Sequence, residues 1–259
     1  MDKIEQQREH FNSVAERYRT ARKHDNHLLL KSLIWKQFLG RHPALKKNGL
    51  VVLEAMCGFA DGKKILEDTL NIETQYEGFD YSDEVLETLK EEQPELKVFH
   101  ADAGTVELEK NKYEVIILLG GLHHVPHMAK EVVARLVESI KPGGYFINLE
   151  PTNGNPIFKA IRERIYAKNS LFDEETERAF EVSELMDFFE SSNMRPVDIT
   201  YPGLSSYVLY YNPDAFPSLN LGGKKMVKSL FALDKLFLRN VLGRWFSFAT
   251  LSLWQKPEN

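Results

Sequence analysis

The run YEVIILLGG, residues 113–121, constrains the fold more than any other stretch. It is almost wholly apolar and does not alternate with polar positions. A strand of that kind is covered on both faces, as in the middle of a parallel sheet. Parallel neighbours need crossover connections, usually helices, and the flanking sequence supplies them. GLVVLEA (49–55) is a short apolar run rich in β-branched residues, and a helical pattern follows over 61–71. YEGFD (76–80) reads as a strand ending at Asp80. Ser82 and Asp83 suit a helix start, and Val85, Leu86 and Leu89 recur at helical spacing. LKVFHAD (96–102) is a third strand. A helix over 127–140, stopped by Pro142-Gly143-Gly144, precedes a strand at GYFINLEP (144–151). Strands alternating with helices predict an α/β fold, a doubly wound, mostly parallel sheet with helices on both faces.

Beyond residue 151 the pattern loosens. A basic helix and an acidic one are expected over 155–180, a helix over VSELMDFFESSN (182–193), and strands at MRPVDITYP (194–202) and FSFATLSLW (246–254). The chain carries one cysteine, which excludes a disulfide framework and a cysteine-built zinc site. A reducing, cytoplasmic setting is the matching expectation. The first 30 residues hold no apolar core of signal-peptide length, and no run of about 18 apolar residues occurs. A net charge of −5 argues against nucleic acid as the partner.

In open α/β sheets ligands bind beyond the carboxyl ends of the strands. The segment VVLEAMCGFADGKKIL (51–66) takes the chain from a strand through a small-residue turn into a helix. It lacks the G-x-G-x-x-G pattern that a pyrophosphate needs for close backbone approach, because Met56 and Phe59 occupy two of the glycine positions. The acidic partner is better placed. Asp80 lies 22 residues after Gly58 (80 − 58) and ends the second strand, where a carboxylate accepts from both hydroxyls of a ribose. The site therefore reads as adenosine-binding, with no sign of a pyrophosphate.

At this point the chain resembles the class I S-adenosylmethionine-dependent methyltransferases. Glu54-Ala55-Met56-Cys57-Gly58-Phe59-Ala60 aligns with the family's E/D-x-G-x-G-x-G motif, as an LExMCG variant with Met56 and Ala60 in place of glycines. Asp80 in GFDYS aligns with the ribose acid, and Asp102 in HADAG with the residue that faces the adenine amine. VIILLGGLHHV and IKPGGYFINLE align with the fourth-strand and following motifs, and FNSVAERY (11–18) with an element that lids the cofactor. The likeness spans roughly residues 11–151. It implies a Rossmann-like, seven-stranded sheet with a reversed C-terminal strand. It also implies S-adenosyl-L-methionine as cofactor, held by Tyr18, Glu54, Ala55, Cys57, Gly58, Asp80, Tyr81, Asp102, Ala103 and Gly120. On this reading residues 1–45 form a helical lid on a methyltransferase domain over 46–259. Substrate-cap insertions fall at about 152–180 and 203–243.

For the chemistry, GGLHHVPH (120–127) places histidines just past the fourth strand. A histidine near its neutral pKa suits removal of a proton from an amine or hydroxyl acceptor. His124 is the favoured catalytic residue, His123 the alternative, and Tyr18 a third candidate; packing under the lid is the competing role. No metal site is expected, since no further ligand falls at a suitable spacing, and His127 lies at a helix start. His24 and His27, three apart, read as a solvated helix face. Lys159, Arg162, Arg164 and Lys168 could hold an anion but read first as a solvated basic face. Tyr207, Tyr210, Tyr211 and Phe216 could floor a pocket or pack in the core. Over 224–245 a single amphipathic helix is expected, with Met226, Leu230, Leu233, Phe237 and Val241 on its apolar face. It is read as a roof over the site in preference to a membrane-surface helix. The functional expectation is methyl transfer to N or O of a small molecule, in natural-product or glycan biosynthesis. The alternatives are a non-catalytic S-adenosylmethionine-binding protein and a nucleotide-dependent oxidoreductase. Neither the acceptor nor the oligomeric state is legible.

Overall fold

The computed structural model describes residues 19–166, 178–213 and 217–258. The expected lid element FNSVAERY, with Tyr18, lies outside these residues, as do Lys168 and Phe216. The strands are β1 (Leu50–Ala55), β2 (Thr74–Asp80), β3 (Lys97–His100), β4 (Tyr113–Leu119), β5 (Ile140–Asn153), β6 (Phe180–Glu181), β7 (Arg195–Thr200) and β8 (Ala249–Gln255). Seven follow the order β3-β2-β1-β4-β5-β8-β7, and the two-residue β6 pairs with β5 outside that path. β8 runs antiparallel to both β5 and β7; the other pairings are parallel. The reversed last strand is the one expected.

Alternation within the central strands explains why they are apolar throughout. Val52, Val115 and Ile117 enter one core, with Leu251 and Leu253 of β8. Leu53, Ile116, Leu118 and Trp254 enter the other. The first core is covered by α1 (Asp25–Leu39), α2 (Asp61–Leu70) and α3 (Asp83–Glu92), which contribute Leu30, Trp35, Phe38, Leu66 and Leu89. The second is covered by α4 (Ala129–Ser139) and α6 (Val182–Glu190), through Val132, Leu136, Leu185 and Phe189. Burying apolar area on both faces at about 25 cal/mol per Å² is what holds the sheet in the middle.

The remaining helices are α5 (Pro156–Tyr166), α7 (Ser205–Tyr210), α8 (Lys224–Asp234) and α9 (Val241–Phe246). The single helix expected over 224–245 is therefore two. α8 ends at Asp234, turns intervene, and the Asn240 side chain caps α9 by accepting from the Gly243 N–H at 2.9 Å. The expected inward face is also wrong. α8 buries Val227, Phe231 and Asp234, and Leu238 follows in the turn, whereas Met226, Leu233 and Val241 are exposed. Leu230 and Phe237 are only partly buried. The buried Asp234 explains the rotation, because its carboxylate accepts from Ser205 Oγ, Ser206 Oγ and the Ser206 N–H at 2.6–2.8 Å, tying α8 to the start of α7.

Candidate active site

Register brings the functional residues together. Ala55 pairs with Phe79 on one side and Leu118 on the other, and Leu119 pairs with Leu149. The carboxyl ends of β1, β2, β4 and β5 thus finish nearly level. Asp80, the turn after Ala55, Gly120 and Glu150 share one edge of the sheet.

The turn from β1 into α2 is held from below by Glu54. This carboxylate is 2% exposed. It accepts from the Gly62 N–H (2.7 Å), the Lys63 N–H (3.1 Å) and the Tyr76 hydroxyl (2.9 Å). It therefore serves the helix N-terminus, where orphan N–H groups and the helix dipole favour negative charge. Burial pushes its carboxyl up to about 7 despite those donors. Gly62 is required, because a Cβ there would stand 2.7 Å from the Glu54 carboxyl. Met56 and Ala60 take φ of 52° and 58°, the left-handed backbone that glycine would adopt freely. The turn keeps the glycine geometry without two of the glycines. Cys57 is buried and its thiol is pushed up by burial, so it fills space.

Asp80 sits at the rim of this turn. Its Oδ2 accepts from the Gly58 N–H at 2.8 Å and its Oδ1 from the Ser82 N–H at 3.0 Å. Burial raises its carboxyl pKa against the N–H groups of Ser82, Gly58 and Tyr81; an ionised carboxylate has about four acceptor positions, so room for a ribose hydroxyl remains. Gly58, at φ +50°, faces open space: a Cβ there would meet nothing within 4 Å. Open volume over a glycine turn beside a carboxylate fits an adenosine-bearing cofactor. Asp102, past the end of β3, is partly exposed and accepts from the Gly104 N–H at 2.8 Å. Ala103 is buried beside it, and the Tyr81 ring lies tilted against His100 with ring centroids 5.3 Å apart. Ala55 is wholly buried, so only its backbone can face the turn.

The histidine segment forms a short 3-10 turn, Leu122–His124, anchored by Glu150. Glu150 is fully buried. It accepts from the N–H groups of Gly121 (3.0 Å), Leu122 (2.9 Å) and His123 (3.3 Å), and lies 2.9 Å from His123 Nδ1. The His123 and His124 rings are 4.0 Å apart and both partly exposed. The sequence alone does not mark Glu150 as a site residue. The available signal was a lone carboxylate in an otherwise apolar strand, FINLEP.

Other expectations resolve differently. His24 caps α1 by accepting from the Asn26 N–H, and His27 is fully buried with Nδ1 2.8 Å from the Tyr211 carbonyl. The pair is not a solvated face, because His27 points into the core beneath α7. Arg162 is likewise buried and donates to the Phe248 carbonyl at 2.6 Å. Tyr210 is fully buried and Tyr211 nearly so, with Tyr207 stacked on Tyr211 at 4.2 Å. No group of three or more histidine, cysteine or carboxylate residues that could hold a metal occurs among the described residues.

Residues 52–144 match a family model described as a methyltransferase domain. By that match the region from β1 into β5 is a methyltransferase domain, and its fold is the Rossmann-like one of S-adenosylmethionine-dependent methyltransferases, whose cofactor is S-adenosylmethionine. Among curated relatives, demethylmenaquinone methyltransferases of Staphylococcus epidermidis and Staphylococcus aureus are 26% identical over 132 residues, 49% of this chain and 54% of theirs. The chain thus spans about half the length of the curated relatives it matches. Solved structures share the fold. An S-adenosylmethionine-dependent methyltransferase from Mesorhizobium loti matches with a TM-score of 0.55 at 12% identity, covering 85% of this chain and all of that one. The [4+2]-cyclase SpnF matches with a TM-score of 0.61 at 13% identity, over 88% and 82%. No helix among the described residues is long and apolar enough to cross a membrane.

Proposed function

We propose that the protein transfers a methyl group from S-adenosylmethionine to a nitrogen or oxygen of a small molecule. The carrying observation is that Asp80 with the open Gly58 turn, and the Glu150-anchored histidines, lie at one edge of the sheet. The cyclase among the fold neighbours is a reminder that this fold does not dictate chemistry, so the reading rests on the site.

The cofactor, when bound, supplies a methyl already activated on a sulfonium, so the protein chiefly positions and deprotonates the acceptor. Asp80 would hold the ribose diol, Asp102 the adenine edge, and the Gly58 backbone would allow close approach. In the tautomer that donates Nδ1–H to an ionised Glu150, the His123 lone pair is on Nε2. His123, or His124 whose ring lies tilted 4.0 Å from it, would accept the proton leaving the acceptor's N–H or O–H. α1 is part of the first core through Leu30, Trp35 and Phe38, so of the expected 1–45 lid only residues before α1 would close over the cleft, and the segments at about 152–180 and 203–243 would shape the acceptor pocket.

The test is calorimetric titration of S-adenosylhomocysteine, followed by turnover with a panel of amine, hydroxyl and quinone acceptors. Demethylmenaquinone belongs in that panel on the relatives' name alone. Micromolar binding with turnover of an N- or O-acceptor supports the proposal. Binding without turnover of any acceptor points to a non-catalytic binding protein, and no binding removes the cofactor reading.

A further inference from the structure

The surface formed by α8 and α9 is built unlike the rest of the molecule. Seven large apolar side chains stand out from it: Met226 and Leu233 on α8, Leu236 after it, and Val241, Leu242, Trp245 and Phe246 on α9, each between 44% and 79% exposed. Scattered exposed leucines need no explanation, but seven such side chains on two consecutive helices and the turn between them do. The backbone beneath them is fixed. A Cβ on Gly243 would lie 1.7 Å from the Phe237 carbonyl oxygen, and one on Gly154 would lie 2.1 Å from the Arg244 carbonyl oxygen. Asn155 Nδ2 donates to the Trp245 carbonyl. α9 is thus seated by close backbone contact on the loop after β5, with its apolar side chains turned outward.

Cations border the same surface. A groove of about 260 Å³ between α1 and α8 is lined by Lys36, Lys228 and Lys235 together with Leu33, Phe231 and Ala232. Lys225 and Lys228 follow at helical spacing on α8, and Arg244 sits between Leu242 and Trp245. None of these cations has a carboxylate partner among the described residues, unlike Lys224, which pairs with Asp25 at 3.0 Å. In a chain of net charge −5, these cations, without a carboxylate partner among the described residues, lie on the same helices as the exposed apolar side chains and on α1 beside them.

We propose that this surface docks on an anionic lipid bilayer. Exposed apolar side chains including a tryptophan, bordered by lysines, are suited to the headgroup boundary, where apolar groups enter about 5–10 Å and cations meet anionic headgroups. A second copy of the chain is a poorer occupant, because apposing two such faces brings like charges together. Position gives the docking a use. α9 leads into β8, whose first residue, Ala249, pairs with Pro151 directly after Glu150. The bilayer would then lie beside the mouth of the candidate active site. This reading is the alternative to the roof expected from the sequence, and it stands whether or not the protein transfers methyl groups.

The protein carries its own reporter. Of its three tryptophans, Trp35 and Trp254 are 1% and 0% exposed, and Trp245 is 49% exposed. The experiment follows tryptophan emission and co-sedimentation with vesicles of phosphatidylcholine alone or mixed with phosphatidylglycerol. Blue-shifted emission and salt-sensitive sedimentation are expected with the anionic vesicles. Partitioning should fall roughly hundredfold in the triple variant Lys36→Glu, Lys228→Glu, Lys235→Glu, at about tenfold or less per charge. Val241→Ser with Trp245→Ser should also release the protein. Circular dichroism and thermal unfolding check both variants, and if the serine variant does not fold, the lysine variant and the two lipid compositions decide. Absence of a shift and of sedimentation with anionic vesicles overturns the proposal. So does concentration-dependent dimerisation that is lost on substituting Val241 and Trp245 while no vesicle binding occurs.

Discussion

Glu150 lies 2.9 Å from His123 Nδ1 and at the same time accepts three backbone N–H groups of the turn that carries His123. One buried carboxylate thus sets both the course of the loop and the orientation of an imidazole. Glu150→Gln keeps the volume but turns an amide N–H toward N–H donors. Leaving buried donors unsatisfied costs about 1–3 kcal/mol. The variant should unfold at lower temperature and lose turnover more than S-adenosylhomocysteine affinity. Calorimetry and initial rates on the same preparation check this, and wild-type stability and rate would show the carboxylate to be dispensable.

His123→Ala and His124→Ala separate the two imidazoles. Loss of a general base typically lowers turnover 10²–10⁴-fold. That loss is expected in at least one variant, with S-adenosylhomocysteine affinity nearly unchanged and the acidic limb of the kcat–pH profile altered. Wild-type turnover in both would remove the histidines from the chemistry.

Asp80→Ala deletes the acceptor beside the Gly58 turn. Hydrogen bonds to charged groups contribute about 1.5–3 kcal/mol, so S-adenosylhomocysteine should bind roughly ten- to a hundredfold more weakly. Unchanged affinity would place the cofactor elsewhere.

Gly62→Ala forces a methyl group to within 2.7 Å of the Glu54 carboxyl. The carboxylate cannot retreat without abandoning the Lys63 N–H and the Tyr76 hydroxyl. Overpacking of this kind costs about 1–3 kcal/mol, and a lower denaturation midpoint at unchanged m-value is expected. Glu54→Ala in the same background should recover part of the loss caused by the clash. A purely additive double-mutant cycle would contradict the contact.

Two buried groups give stability a pH dependence of opposite sign. His27 is held at about 3, below its ordinary 6.5, by burial and then by the charges of Arg22 and Lys31. The unfolded chain takes up that proton below about 6.5 and the folded one does not, so His27 lowers stability as pH falls from 6.5 towards 3. Glu54 is raised from 4.5 to about 7, so its contribution is complete below 4.5 and is lost as pH rises through 7. Thermal midpoints measured across this range should fall less steeply towards acid in His27→Asn. They should fall less steeply towards neutral pH in Glu54→Gln. Parallel curves for wild type and either variant would show that group to be silent.

The sheet was legible because its signals are local. An unbroken apolar run such as residues 113–119 has few alternatives to a strand covered on both faces, and Ser82 caps its helix as its type and place suggest. Asp80 was legible too, since the end of a strand is a position in sequence as well as in space. What chain order could not carry was pairing across distance. Glu150 meets His123 only because β5 lies beside β4 in register, which brings residues 27 positions apart within hydrogen-bonding reach. His27 is buried only because α7 comes to lie over α1 and offers the Tyr211 carbonyl, 184 residues away. The segment 224–245 departs from its expected single helix for the same reason. Its periodicity holds two apolar stripes, and the Asp234 contact with Ser205 and Ser206 decides which one turns inward. Helical spacing sorts residues into faces; only the elements packed against them determine which face meets protein and which is left to meet something else.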